Sequence, residues 1–348
     1  MPLSLSRRNV LARAAGLGAL ALPSSGIAGP DMSSSEPVAK AMEEALSYAR
    51  SQHTTGFMAV RDRTILVERN WPAPDTPLFR AFAYETTPEG ALLEDVASQQ
   101  KSWVSMLVAI AIDKGLIDVN RPVLDYLGKG WSKAETDREA AIRVIHVLNM
   151  SSGLTEAFTY EAPPGSMFFY NTPVYAITQK ILSAAAGQPL ETLTRDWLTA
   201  PAGLTQTAWR HRPANPLFTA AGNTMGLVTS PRDSVRFGQI VLDGGLASDG
   251  TRLVSQASLG AMFQRSPANP AYGRLWWLNG GAYSIRRGQK EPGPLIPAAP
   301  ADLVAALGAL DRKLYIAPSQ KLIVVRMGAA TDLDFDQQLW LRLTKALA

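Results

Sequence analysis

The chain is 348 residues long and 46% hydrophobic, a globular composition with enough apolar material for one large domain or two interlocked ones. Its 34 Lys and Arg against 30 Asp and Glu leave a net charge of only +4 and no basic run, which excludes an extended nucleic-acid-binding face. Cysteine is absent, so disulfides, thiolate catalysis and cysteine-held metals are excluded; His53, His146 and His211 show no paired motif for zinc.

The N-terminus reads SLSRRNVLARAAGLGALALPSSGIAGP. Arg7 and Arg8 precede an apolar run near Leu17–Leu22 that is too short to span a bilayer, and Gly26 and Ala28 supply the small residues of a cleavage site. Residues 1–28 are thus expected to be an export signal resembling the bacterial twin-arginine type, which implies a periplasmic mature protein with no stable membrane insertion. EPVAKAMEEALSYARSQ then shows helical periodicity. In GFMAVRDRTILVERNW, Phe57, Ala59, Ile65 and Val67 alternate around Asp62-Arg63, a hairpin pattern. From about 98 to 265 the chain reads as mostly helical. One of these helices is framed by Ser230 as N-cap, Pro231 in the first turn and Gly244 past the end. YGRLWWLNGG, RKLYIA and KLIVVRMG then read as strands, 288–301 as a long loop, and FDQQLWLRLTKAL as a closing amphipathic helix.

Helix and strands at both ends with helices between them lack the alternation of a doubly wound sheet. The expected class is α+β: an antiparallel sheet built from both chain ends (about 40–97 and 266–348), covered by terminal helices, with a mostly helical subdomain at its edge (about 98–265). The whole would be one domain over 29–348, with a cleft between the two parts.

SQQKSWVSMLVAIAIDKGL, residues 98–116, is a core helix with a serine at its start and a lysine one turn later. Ser98 and Lys101 share a face at i, i+3, so they can touch. Free amides and the macrodipole at the helix start favour a serine alkoxide and a tetrahedral oxyanion. Burial would lower the pKa of Lys101 and make it a base. Alone, the pattern is weak: about one S-x-x-K arises by chance in a chain this long, and an N-cap serine with a snorkelling lysine is the ordinary outcome.

Context changes that. VASQQKSWVSMLVAIAIDKGLIDVNRPVLDYL runs into IRVIHVLNMSSGL and PPGSMFFYNTPVYAITQKILSAAAGQPL, then GLVTSPRDSVRFGQIVLDGG and YGRLWWLNGG. From about residue 54 to 345 this succession resembles the serine β-lactamase-like superfamily of class C β-lactamases, D,D-peptidases, esterases and 6-aminohexanoate oligomer hydrolases. The resemblance implies the transpeptidase-like fold, Ser98 as nucleophile, Lys101 as its partner, and Tyr170 as the tyrosine of the Y-x-N motif. It implies no cofactor. Without it, Tyr170 is one of nine tyrosines, packing beside Phe168 and Phe169. His146 reads as a packing or hydrogen-bonding residue, and Trp276 and Trp277 as sheet and cleft-wall residues.

Two departures stand out. The third position of Y-x-N is Thr172, with Asn171 just before it, and a threonine hydroxyl cannot donate and accept as an amide does. The K-[ST]-G or H-x-G expected on the strand facing the nucleophile is missing from ALGALDRKLYI; Arg312 or Lys313 is the expected substitute for anchoring substrate, with an oxyanion amide near Arg312. These departures favour an exported serine hydrolase of small esters or linear amides. The alternatives are a D-amino-acid peptidase or weak β-lactamase, and a non-catalytic cell-wall or peptide-binding relative.

Overall fold

The computed structural model describes residues 36–212 and 224–347. The export segment expected over 1–28 lies outside them. Helices of twelve residues or more are numbered below.

Helix α1 (Glu36–Ser51) leads into β1 (Thr54–Arg61) and β2 (Thr64–Asn70), joined at Asp62 and Arg63, both with positive φ. Two left-handed residues in a two-residue loop make the hairpin turn that matches strand twist. Late in the chain come β7 (Tyr272–Gly273), β8 (Trp276–Leu278), a separate hairpin of β9 (Tyr283–Arg286) and β10 (Gln289–Pro292), β11 (Val304–Gly308), β12 (Arg312–Ala317) and β13 (Leu322–Gly328). They close a seven-stranded antiparallel sheet in the order β2-β1-β13-β12-β11-β8-β7. The strands of the two chain ends meet at β1–β13, where Met58 faces Val325. Every residue of β13 is buried, which explains its continuous apolar run; edge strand β2 is only partly buried.

α1 and the last helix, α5 (Phe335–Leu347), pack together on one face, with Tyr48 stacked on Phe335 and Trp340 edge-on to Tyr315. α4 (Pro231–Leu242) covers the other face. Its Ser230 cap accepts from the Asp233 amide, and Gly238 brings it close to Ile323 and Leu314. Beside it runs α2 (Gln100–Asp113), buried on nearly all sides, its Trp103 stacked on Phe237 at 3.8 Å. That surrounding explains a helix apolar almost all round. α3 (Thr172–Ala186) packs on α2.

The middle of the chain is less helical than its sequence suggests. β3 (Ala83–Thr86), β4 (Leu92–Asp95), β5 (Ala208–His211) and β6 (Met225–Thr229) form a second antiparallel sheet in the order β3-β4-β6-β5. These strands are four or five residues long, too short for an alternation pattern to be seen. Glu94 and Asp95 of β4 are held by Thr229 and Val228 of β6, and the chain leaves that pairing directly into the turn that carries Ser98.

Candidate active site

Ser98 does not open α2 itself. It sits in a short 3-10 turn, Ala97–Gln99, that feeds the helix. The turn is set by its neighbours: the Asp95 carboxylate accepts from the Ala97 amide at 2.8 Å, and the Val96 amide donates to Leu227 O at 2.9 Å. Ala97 lies at φ +50, a left-handed conformation that costs a residue with a Cβ about 1 kcal/mol. The serine that follows is left partly exposed while its neighbours are buried.

One helical turn on, the Lys101 ammonium donates to Ser98 Oγ at 2.9 Å. The Tyr170 hydroxyl hydrogen-bonds to the same serine. Lys101 Nζ lies 5.0 Å from the Tyr170 ring centre and 4.6 Å from that of Tyr175 on α3. Lys101 is only 1% exposed. Burial, helped by the nearby Arg212 charge, lowers its pKa from 10.5 to about 7. Burial acts on the phenol in the opposite sense, pushing Tyr170 up to about 12 against the pull of its bond to Ser98. Both groups are thereby driven toward neutral forms: a free amine able to take a proton, and a phenol that keeps its own.

The aromatic wall is fixed from α2. The β7–β8 hairpin turns at Arg274 and Leu275, both with positive φ. Ser102 Oγ donates to Leu275 O at 2.8 Å and Ser105 Oγ to Arg274 O at 2.6 Å. This docking sets Trp277 stacked on Tyr170 at 5.7 Å, with Tyr272 edge-on and Phe168 behind. Trp277 is thus a wall residue, while Trp276 packs inward between Phe237 and Phe263.

The strand that meets the serine turn is β11, and its last residue is Gly308. A Cβ there would fall on Val96 O and lie 3.3 Å from the Gln99 amide, so this contact requires glycine. Arg312, near which the oxyanion amide was expected, lies one hairpin arm later, on β12.

Arg312 and Lys313 do not join the Ser98 group. On β12 they point to opposite faces, as strand alternation demands. Arg312, fully buried, pairs with Glu94 at 2.8 Å over the Phe82 ring, and Lys313 pairs with Asp311 at 3.0 Å and Asp336 at 2.9 Å on the α5 side. Their charges are met inside the protein, so the substrate-anchoring role expected of them has no basis in their placement. Asn171 is likewise occupied: it caps α3 by accepting from the Val174 amide at 3.0 Å and donates to Leu154 O at 2.9 Å. Thr172 is the first residue of α3 and is partly buried. His146 accepts from the Arg143 amide at 3.1 Å, a local capping contact.

A cavity of about 510 Å3 lies elsewhere, between the β1–β2 turn and α4. Its charged groups are paired: Arg63 with Asp243 at 2.9 Å inside the lining, and Arg236 with Asp233 at 2.8 Å and Asp62 with Lys321 at 3.2 Å, partners outside it.

Tyr175, Gly308, Asp95, Gln100 and Arg212 were not singled out by the sequence. Only Gly308 left a trace, as a glycine closing an apolar strand.

The chain spans 55% of the length of the curated relative it matches, penicillin-binding protein 4 of Amycolatopsis lactamdurans, at 26% identity over 212 residues, 48% of this chain. The structure of a putative β-lactamase from Bacteroides dorei superposes with a TM-score of 0.66 at 15% identity, covering 89% of this chain and 98% of that one. A putative 6-aminohexanoate-dimer hydrolase from Bacillus anthracis gives 0.63 at 15% identity, covering 86% and 81%. The β-lactamase family profile matches residues 56–345, which takes in both sheets, the Ser98 turn and Tyr170. The chain belongs to the β-lactamase family.

Proposed function

We propose that this protein hydrolyses a small ester or linear amide through an acyl-enzyme on Ser98. The observation that carries the reading is the convergence of the Lys101 amine, at 2.9 Å, and the Tyr170 hydroxyl on one partly exposed serine oxygen. In the acylation step Ser98 Oγ attacks the carbonyl carbon and its proton passes to the neutral Lys101 amine. The tetrahedral oxyanion is received by the Ser98 amide and by an amide at the end of β11. The carbon–heteroatom bond then breaks. Tyr170 gives its proton to the departing oxygen or nitrogen and recovers one from Lys101. A water molecule repeats the sequence on the ester of Ser98 and releases the acid.

Esters and linear amides are favoured over carboxylate-bearing lactams because Arg312 and Lys313 are ion-paired away from Ser98. A peptidase or weak β-lactamase action is the second reading, supported by the partial likeness to a penicillin-binding protein. With the Arg7-Arg8 segment at its start, the chain would act in the periplasm. Fractionation of cells carrying an Arg7→Lys/Arg8→Lys variant should find it retained in the cytoplasm.

The test is intact-mass measurement after exposure to a fluorophosphonate and, separately, to a penicillin. The hydrolase reading expects one fluorophosphonate adduct that disappears in Ser98→Ala, with turnover of p-nitrophenyl esters. A stable penicillin adduct would shift the reading to the peptidase, and no adduct with either reagent would leave a binding protein.

A further inference from the structure

Behind the reacting pair lies a buried polar cluster that the proposed chemistry does not use. The Arg212 guanidinium, 2% exposed at its side chain, forks onto Asp95 at 2.6 and 3.0 Å. Its Nη2 also donates to Gln100 Oε1 at 3.1 Å, an oxygen that takes a second bond from the Leu227 amide at 3.2 Å. Gln100 stands next to Lys101 in the chain, and its side chain hydrogen-bonds to Tyr175, whose ring lies under the ammonium. Asp95 holds the Ala97 amide and with it the left-handed residue before Ser98. Space for the pair is left on β6 by Gly226, where a Cβ would fall on Asp95 Oδ2 and lie 2.9 Å from Arg212 Nε. The cluster thus touches both the serine turn and the first turn of α2.

We infer that Asp95, Arg212 and Gln100 form a positioning device for the Ser98–Lys101 pair, clamping the nucleophile turn and setting a fixed positive charge beside the lysine. The inference rests on the hydrolase reading above. The titratable and charged groups facing Lys101 are Tyr170 from the loop before α3, Tyr175 from α3, Tyr272 of β7 behind them, and Arg212 after β5 with Asp95 at its back. Among the described residues, Arg212 is the charged side chain that bears on the lysine's protonation, and it acts in the same sense as burial. A like charge disfavours the ammonium, so it enlarges the fraction of free amine near neutral pH.

The experiment reads the pH dependence of fluorophosphonate labelling at Ser98 in the full chain. In the wild type, labelling should rise with pH through about 7 as Lys101 loses its proton. Removing the positive charge in Arg212→Gln should move this rise upward by about one pH unit. Removing the compensating negative charge in Asp95→Asn, which keeps an oxygen for the Ala97 amide, should move it downward. Arg212→Lys keeps the charge but loses the fork, so the plateau falls and the midpoint stays. Should Arg212→Gln not fold with Asp95 unpaired, the Asp95→Asn shift decides by itself: a downward move supports the inference, and an unmoved or raised midpoint overturns it. Midpoints that stay fixed, or move the same way in the two charge variants, overturn the inference. Absence of labelling at Ser98 in the wild type overturns the hydrolase reading instead.

Discussion

Two lysines, Lys101 and Lys313, are 1% and 3% exposed, and they teach opposite lessons about a buried amine. Lys313 reaches two carboxylates, Asp311 and Asp336, and Asp336 also accepts from the Tyr315 hydroxyl at 2.6 Å. Burial pushes the Asp336 carboxyl up, yet the Lys313 and Arg286 charges and hydrogen bonds bring it below its ordinary range. That cluster is ionic and structural. Lys101 meets a hydroxyl, two aromatic rings and the field of an arginine, and among the described residues no carboxylate pairs with it. Burial without a counter-charge leaves the proton easy to remove. The difference between a strut and a base is the partner, since depth is the same for both.

The comparison can be broken most decisively at Lys101. Replacing it by Met should lower the rate of Ser98 acylation at least about 10³-fold, measured with a chromogenic ester. The same change should raise stability by about 1–2 kcal/mol in denaturant unfolding, because an unpaired buried amine is lost. The sign of the pH effect follows. Between about 7 and 10.5 the unfolded chain keeps a lysine proton that the native state has released, so wild-type stability should climb with pH across that window. In Lys101→Met this climb should vanish.

Tyr170→Phe should cost about 10²–10³-fold in turnover and more for amides than for activated esters, since a poor leaving group needs the phenol's proton. Equal losses for both substrates would remove Tyr170 from the leaving-group step. Lys313→Met should destabilise the fold by about 3 kcal/mol by stranding two carboxylates, while the acylation rate of folded protein stays near the wild-type value. A large fall in that rate would mean the two lysines are not as separate as their contacts indicate. The smallest effect is expected at Asn171→Ala, about 1 kcal/mol of stability from the lost α3 cap, with KM little changed. A KM effect exceeding the stability effect would return Asn171 to the substrate.

What was legible beforehand tracks how local the determining physics is. The Asp62-Arg63 hairpin, the Ser230–Pro231 helix start and the Ser98–Lys101 spacing each depend on residues within a few positions of one another, and their patterns are visible in the chain. Which strand faces the serine is a question of long-range register. ALGALDRKLYI contains the end of β11, a turn and the start of β12; alternation within it says that Arg312 and Lys313 diverge but not that both belong to the wrong arm. Glu94 and Asp95 carry no local signal, because their partners Arg312 and Arg212 lie more than a hundred residues away. Burial pushes the Lys101 amine down and the Tyr170 phenol up, and the burial of Tyr170 is set by partners distant in the chain.

The close seating of Gly308 against Val96 has a mechanical consequence. It leaves no room for a side chain between strand and serine turn, so the two are seated directly on each other. The β7–β8 hairpin is paired to the same strand through β8, and it hangs on α2 by two serine hydroxyls, while the Leu275 and Arg274 amides reach Leu148 O and Asn149 Oδ1. Serine turn, β11 and the hairpin that carries Trp277 and Tyr272 are thereby braced as one frame instead of standing as independent walls.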